Sequence, residues 1–151
     1  MPMTDSHPPI EILIAEDNSL YKKIIIDSLN EDPNFKVTGE AKDGKTAIRL
    51  SEELMPDIVI MDLGLPIMSG IEASKIIKIS NPSIKIVALS SHINKSEAIE
   101  ALAAGAICYI SKDMNINQLK MILETIYNGA VWINPIIGQK ILSEIIENYK
   151  R

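Results

Sequence analysis

The side chains of this sequence that could do chemistry stand at the ends of short apolar runs. Each acidic, hydroxyl or lysine member of the set directly follows such a run. The members are Glu16, Asp17, Asp62, Ser90, Tyr109 and Lys112. In open α/β sheets, ligands bind at the carboxyl ends of the strands. We therefore expect three carboxylates, one hydroxyl and one amine to meet at a single edge of a sheet.

The elements that must position these residues form an alternation of short apolar runs and longer amphipathic segments. This alternation predicts an α/β fold with parallel strands joined by crossover helices. The predicted strands are residues 10–15, 35–41, 57–61, 84–89 and 107–111. The predicted helices are residues 19–30, 44–55, 71–79, 95–104 and 116–127, followed by a sixth at 135–149.

The sixth helix exceeds what a sheet of five strands and five helices requires. Its apolar residues recur at spacings of three and four, which indicates one apolar face. We expect that face to dock on its own domain, with a dimer contact as the alternative. Trp132 is expected to be a packing anchor between the fifth and sixth helices.

Composition places the 151 residues in one domain with an ordinary apolar fraction of 46%. A net charge of −5 argues against sequence-independent nucleic acid binding by this chain alone. The single cysteine, Cys108, excludes an internal disulfide and is expected to be a buried apolar residue. Residues 1–9 are polar and Pro-rich, without a signal-like apolar run. They are expected to be a disordered lead-in to a cytoplasmic protein.

The adjacent carboxylates Glu16 and Asp17 indicate a cation site. Two acids at a buried strand end are costly unless a positive charge compensates them. Ligands that are all oxygens favour Mg²⁺, whereas zinc is disfavoured because Cys108 stands alone and neither His7 nor His92 has ligand spacing. The simpler interpretation is an acidic turn that only caps the next helix.

A third carboxylate, Asp62, can complete this site and can also attack phosphorus to form an acyl phosphate. Lys112 could then pair with phosphoryl oxygens, and the Ser90 hydroxyl could donate a hydrogen bond to one of them. Each residue also has a simpler interpretation. Asp62 and Ser90 could be turn or helix caps, and Lys112 could be a solvent-facing charge.

Four short motifs carry a resemblance to a known family. They are Glu16-Asp17-Asn18, the segment 61–70 around Asp62, Leu89-Ser90-Ser91 and Tyr109-Ile110-Ser111-Lys112. In this order and spacing, residues 10–129 resemble the receiver domain of bacterial two-component response regulators. The resemblance implies a flavodoxin-like, doubly wound, five-stranded parallel sheet of order 2-1-3-4-5. It also implies phosphorylation by a sensor histidine kinase.

Carried over by motif, the resemblance makes Asp62 the phosphoacceptor. Glu16 and Asp17 become the acidic Mg²⁺ pair, with Asp17 the direct ligand, and the backbone carbonyl of Gly64 becomes a further ligand. Lys112 becomes the lysine that binds the phosphoryl group.

The same resemblance makes Ser90 the switch hydroxyl and Tyr109 the switch aromatic, whose ring would turn inward when Ser90 moves. Gly64 and His92 occupy the two places that tune dephosphorylation. The His92 side chain either orients water or is solvated. Asp113 stands where many receivers have a proline, which puts the cis peptide of those receivers in doubt.

The chain also resembles the subgroup of receivers that precede a LuxR-type helix-turn-helix, a module that this sequence does not contain. This divides it into a lead-in at 1–9, a receiver domain at 10–130 and a linker helix at 131–151. We expect a signalling switch that controls transcription, with DNA contacted only through the missing domain and possible homodimerisation on phosphorylation. The alternative is a stand-alone receiver that acts by protein–protein interaction or phosphorelay.

Other functions fit less well. A flavodoxin-type flavin site would need a phosphate-binding loop where Glu16 and Asp17 stand. A phosphoaspartate hydrolase of the dehalogenase class would need an acid two residues after Asp62, where Gly64 stands. An interaction module without phosphorylation remains open. We expect no enzyme activity beyond the chain's own phosphorylation and autodephosphorylation.

Overall fold

The computed structural model describes residues 7–150, which form a single parallel sheet covered by helices on both faces. The strands are β1 (Ile10–Ala15), β2 (Phe35–Ala41), β3 (Ile58–Asp62), β4 (Lys85–Ser90), β5 (Cys108–Ser111) and β6 (Trp132–Ile133). The helices are α1 (Ser19–Asn30), α2 (Gly44–Leu54), α3 (Gly70–Ser80), α4 (Lys95–Ala103), α5 (Ile116–Tyr127) and α6 (Pro135–Tyr149). Within the described part of the chain, no helix is long and apolar enough to cross a membrane.

The strand order β2-β1-β3-β4-β5-β6 confirms the doubly wound fold and adds one short strand. In β6, Trp132 N donates to Ile107 O at 3.0 Å, and Asn134 N donates to Tyr109 O at 2.9 Å. A strand of two residues is too short to show a period of two. The sequence therefore predicted five strands where the sheet has six.

The core has two layers because side chains alternate along each strand. In β1, Ile12 faces the layer of α1 and α5, whereas Leu13 faces the layer of α2, α3, α4 and α6. Both faces of the sheet are therefore buried, which explains why the strands are nearly continuous apolar runs.

Helix α6 docks on its own domain, as predicted. Ile137 is buried in the same cluster as Tyr109 and Ala98, and Lys95 of α4 pairs with Glu144 of α6 at 3.1 Å. The outer face of α6 stays exposed to solvent. Its exposed apolar residues are Ile136, Leu142, Ile145, Ile146 and Tyr149.

Trp132 differs from its predicted role. It packs with the apolar cluster of α1 and α5, while α6 lies in the opposite layer. It therefore joins α5 to the edge of the sheet rather than joining α5 to α6.

Most of the predicted N-terminal lead-in, residues 1–6, lies outside the described residues. His7 lies against α5, with its Nε2 atom 3.1 Å from Glu124 Oε2 and its ring centroid 5.1 Å from that of Tyr127.

Close backbone packing behind β3 requires glycine. A Cβ atom on Gly70 would lie 2.2 Å from the carbonyl oxygen of Asp62 and 2.8 Å from Leu63 Cα. A Cβ atom on Gly44 would lie 2.3 Å from the carbonyl oxygen of Met68. These contacts hold the loop between β3 and α3 against the end of β3, where Asp62 stands.

Gly70→Ala should therefore lower the free energy of unfolding by about 1–3 kcal/mol, because the new methyl group overlaps backbone atoms. Gly138→Ala in α6 is the matched control. Its Cβ would meet Ile133 Cγ2 at 3.9 Å, and alanine in a helix interior is favoured by up to about 1 kcal/mol. Urea denaturation measures both. Equal stability of the two variants would contradict the tight approach at Gly70.

Burial of Cys108 raises the pKa of its thiol to about 12. We expect the native protein to react slowly with iodoacetamide at about pH 8.5, where a free thiol is half ionised. The urea-unfolded chain should react at the rate of free cysteine. Because the unfolded thiol ionises first, Cys108 should also lower stability as pH rises from about 8.5 towards 12. Rapid native alkylation would show that this strand opens readily.

Candidate functional site

The register of the sheet brings the predicted residues to one edge. Ala15 pairs with Met61, and Asp62 pairs with Leu89 on the next strand. Ser90 pairs with Ser111, the residue before Lys112. The residues at or just beyond these carboxyl ends therefore lie side by side, as the sequence predicted.

Lys112 joins the two buried carboxylates of this edge. Its Nζ atom lies 2.7 Å from Glu16 Oε1 and 3.2 Å from Asp62 Oδ2. Glu16 is 0% exposed and Asp62 3% exposed, while the Lys112 side chain is 19% exposed. Poor solvation strengthens these ion pairs and makes each partner costly to bury alone.

Burial and the ion pairs shift the pKa values of Glu16 and Lys112. Burial raises the pKa of Glu16, and the hydrogen bonds from Lys112 and the Asn18 amide only partly oppose it. Burial acts to lower the pKa of Lys112, but the carboxylates of Glu16 and Asp62 outweigh it, so its pKa is raised. The ammonium is therefore held in its charged form.

The acidic turn is able to hold a metal ion. Glu16, Asp17 and Asp62 each offer one oxygen, and these three oxygens lie within 4.8 Å of one another. Glu16 Oε1 is buried, and the Lys112 ammonium is its partner at 2.7 Å. A donor set made only of carboxylate oxygens fits a hard divalent cation.

The turn after β1 caps α1, as its simpler interpretation had it, and the cap residue is Asn18. Its Oδ1 atom accepts a hydrogen bond from Tyr21 N at 2.9 Å. The Asp17 carboxylate is exposed, is not the cap, and is one of the three carboxylates whose oxygens lie close together.

Asp62 and Gly64 form a tight turn at the end of β3. Gly64 N donates to Asp62 Oδ1 at 3.0 Å, while Asp62 Oδ2 faces Lys112. Ser69, not Asp62, caps α3. The Gly64 carbonyl as a metal ligand remains a prediction.

Ser90 and Tyr109 meet at a fourth carboxylate, that of Glu97 in the first turn of α4. Ser90 Oγ donates a hydrogen bond to Glu97 Oε1, and Tyr109 Oη donates to the same oxygen at 2.7 Å. Tyr109 is fully buried, and burial raises its pKa. The alternative of a wet Tyr109 hydroxyl at the sheet edge is therefore wrong. The ring already lies in the inward position that it was expected to reach only after Ser90 moved.

The remaining predicted positions are placed as follows. His92 is exposed, and its amide donates to Ser90 Oγ at 3.2 Å. Asn94, not Ser90, caps α4. The described residues contain no cis peptide bond, so the bond between Lys112 and Asp113 is trans.

Sequence reasoning missed two residues that contact this site. The Tyr21 ring centroid lies 5.3 Å from Lys112 Nζ, and burial with the nearby negative charges raises the Tyr21 pKa to about 12. Glu97 bridges Ser90 and Tyr109. The sequence offers only spacing as a signal for these two residues. Tyr21 stands four residues after Asp17, and Glu97 stands seven residues after Ser90.

The fold and the site together define a class of protein. It is a doubly wound α/β domain in which a lysine faces a cluster of carboxylates at the carboxyl ends of the strands. A family model described as "Response regulator receiver domain" matches residues 12–124. The chain belongs to this family, as the motifs indicated.

Individual relatives agree with this assignment. The chain is 30% identical over 142 residues to the transcriptional regulatory protein DegU of Brevibacillus brevis, covering 94% of this chain and 58% of that protein. It is 34% identical over 140 residues to a protein-glutamate methylesterase/protein-glutamine glutaminase of Methanococcoides burtonii. This match covers 87% of this chain and 40% of that protein. The crystal structure of a LuxR-family two-component response regulator from Aurantimonas sp. SI85-9A1 superposes with a TM-score of 0.84 at 31% identity. The superposition covers 91% of this chain and 99% of that chain. The chain thus spans less than two thirds of the curated relatives it matches.

Lys112→Met should lower the free energy of unfolding at neutral pH by about 3 kcal/mol, because it leaves two buried carboxylates without their cation. The loss should shrink as pH falls. The raised pKa of Glu16 means that the folded protein binds this proton more readily than the unfolded chain does. Urea denaturation with EDTA at several pH values measures this.

Lys23→Met is the matched control, since Lys23 pairs with Asp27 on the exposed surface of α1. It should have little effect at any pH. A Lys112→Met variant as stable as the parent at neutral pH would mean that the two carboxylates do not need this ammonium.

Proposed function

We propose that this receiver domain is a phosphorylation-dependent signalling switch that accepts a phosphoryl group on Asp62 from a sensor histidine kinase, with Mg²⁺ as cofactor. The observation that supports it most directly is the Lys112 ammonium in contact with both Glu16 and Asp62. A structural ion pair needs one acid for one base. Here a third carboxylate, Asp17, adds a further oxygen at the same place.

The transfer forms a bond between an Asp62 carboxylate oxygen and phosphorus and breaks the bond from phosphorus to the donor nitrogen. The donor nitrogen takes up a proton. Lys112, already charged and directed at Asp62, pairs with the added oxygens. Glu16, Asp17, Asp62 and the Gly64 carbonyl would hold the Mg²⁺ ion. When bound, Mg²⁺ neutralises charge on the carboxylates and on the phosphoryl group.

Conformational control then rests on Ser90, which ends the strand beside Asp62. Its hydroxyl can donate to a phosphoryl oxygen, and the first turn of α4 would respond. Taking such an equilibrium from mostly off to mostly on requires about 5.5 kcal/mol of differential stabilisation. New charge-assisted hydrogen bonds from Ser90 and Lys112 are the available source in this poorly solvated site. Gly64 and His92 would tune the lifetime of the phosphoryl group.

Transcriptional control is the output we propose, through a DNA-binding domain joined after α6. Similarity to DegU and to the LuxR-family regulator supports it. The packing of α6 on α4 gives the switch a route to that domain. Similarity to a methylesterase shows that receivers of this kind also stand beside other outputs. A cytoplasmic location and homodimerisation on phosphorylation remain part of the proposal.

The test is phosphorylation by a small-molecule donor. Incubation with Mg²⁺ and phosphoramidate should add the mass of one phosphoryl group to the intact protein, and the product should be labile to hydroxylamine as an acyl phosphate. Asp62→Asn should abolish the gain because the amide is not a nucleophile. Electrospray mass spectrometry measures both.

Two controls identify the site and the cofactor. Glu52→Gln, on the exposed surface of α2, should be phosphorylated like the parent, whereas Asp17→Asn or added EDTA should slow the reaction strongly. An unchanged mass of the parent protein, with a known receiver modified in the same buffer, would overturn the proposal.

A further inference from the structure

We propose that Glu97 is a positioning residue that competes with the phosphoryl group for the hydroxyl proton of Ser90 and so sets the threshold of the switch. This inference rests on the proposed function, because it assumes that Asp62 carries the phosphoryl group. Glu97 belongs to none of the four motifs that identified the family.

The geometry centres on one carboxylate oxygen. Glu97 Oε1 accepts from Ser90 Oγ and also from Tyr109 Oη, which lies 2.7 Å away. Ser90 is 1% exposed and Tyr109 is fully buried, so water does not replace these bonds readily. The carboxylate therefore links the strand that ends at Ser90 to the strand that carries Tyr109.

The start of α4 explains why Glu97 is available for this role. In a capping box, the glutamate three residues after the cap returns to the backbone N–H of the cap residue. Here Asn94 is the cap, and its side chain accepts from Glu97 N at 2.8 Å. However, the backbone N–H of Asn94 donates to Tyr109 Oη at 3.0 Å instead. The tyrosine hydroxyl has taken the partner that the glutamate would have used, and the Glu97 side chain turns to Ser90.

The competition follows from proton counting. The Ser90 hydroxyl has one proton, and Glu97 receives it in this arrangement. A phosphoryl oxygen on Asp62 can receive it only if Ser90 turns away from Glu97. Tyr109 keeps its bonds to Glu97 and Asn94 throughout, so its ring need not move inward. The conformational signal then lies in the loss of the hydrogen bond from Ser90 to Glu97 at the first turn of α4, rather than in the ring.

The experiment measures the affinity for beryllofluoride, a phosphoryl mimic, in the presence of Mg²⁺ by calorimetry. Glu97→Ala removes the competitor and should bind the mimic about tenfold more tightly, which is the scale of one hydrogen bond to a charged group. Glu97→Gln keeps a neutral acceptor of the same shape and should fall between the parent and Glu97→Ala. Glu100→Gln removes an exposed charge one turn further along α4 and should bind as the parent does.

A second background separates competition from simple charge removal. In Ser90→Ala there is no proton to compete for, so adding Glu97→Ala should change the affinity by less than about twofold. An equal gain with and without Ser90 would overturn the inference, because the effect would then be long-range electrostatics. No gain in Glu97→Ala, in a parent protein that binds the mimic, would overturn it while leaving the proposed function intact. Failure of the parent protein itself to bind the mimic would overturn both.

Discussion

The ion pairs of Lys112 with Glu16 and Asp62 are the constraint on which the site depends. Two carboxylates buried at one sheet edge repel each other and lose their hydration, and a single ammonium 2.7 Å from one and 3.2 Å from the other offsets this. With Asp17, this cluster has three carboxylates whose oxygens lie within 4.8 Å of one another, so one ammonium does not balance its full negative charge.

The packing of the fold holds the carboxyl ends of the strands in fixed positions. Both faces of the sheet are buried, so each strand end is fixed by packing from two layers. Gly70 and Gly44 allow the loop after β3 to lie against backbone atoms around Asp62. The side of the sheet with α4 and α6 is built differently. There, the hydroxyls of Ser90 and Tyr109 both donate to Glu97 Oε1, and α6 has an apolar face that stays exposed.

Most of the fold could be predicted from the sequence because its signals are local. The bounds of β1, β2, α1, α5 and α6 agree with the predicted ranges, since apolar periodicity, prolines and capping residues all act within a few positions. The predictions failed where partners are distant. β6 exists only because β5 offers a free edge to two residues. Trp132 packs in the layer of α5 because it belongs to β6. The Tyr109 hydroxyl is buried because Asn94 and Glu97 form hydrogen bonds with it.

The chemical identity of the site was already present in the sequence, since a strand ending in an acid, a serine or a lysine puts that group at the carboxyl edge of a parallel sheet. Only the tertiary structure decided which groups touch. It assigned the cap of α1 to Asn18, and it placed Tyr21 beside Lys112. It also brought Glu97 to Ser90. The reason is physical: a hydrogen bond between residues on different elements depends on distances of a few ångströms, which are set by packing across the whole domain and leave no periodic trace along the chain.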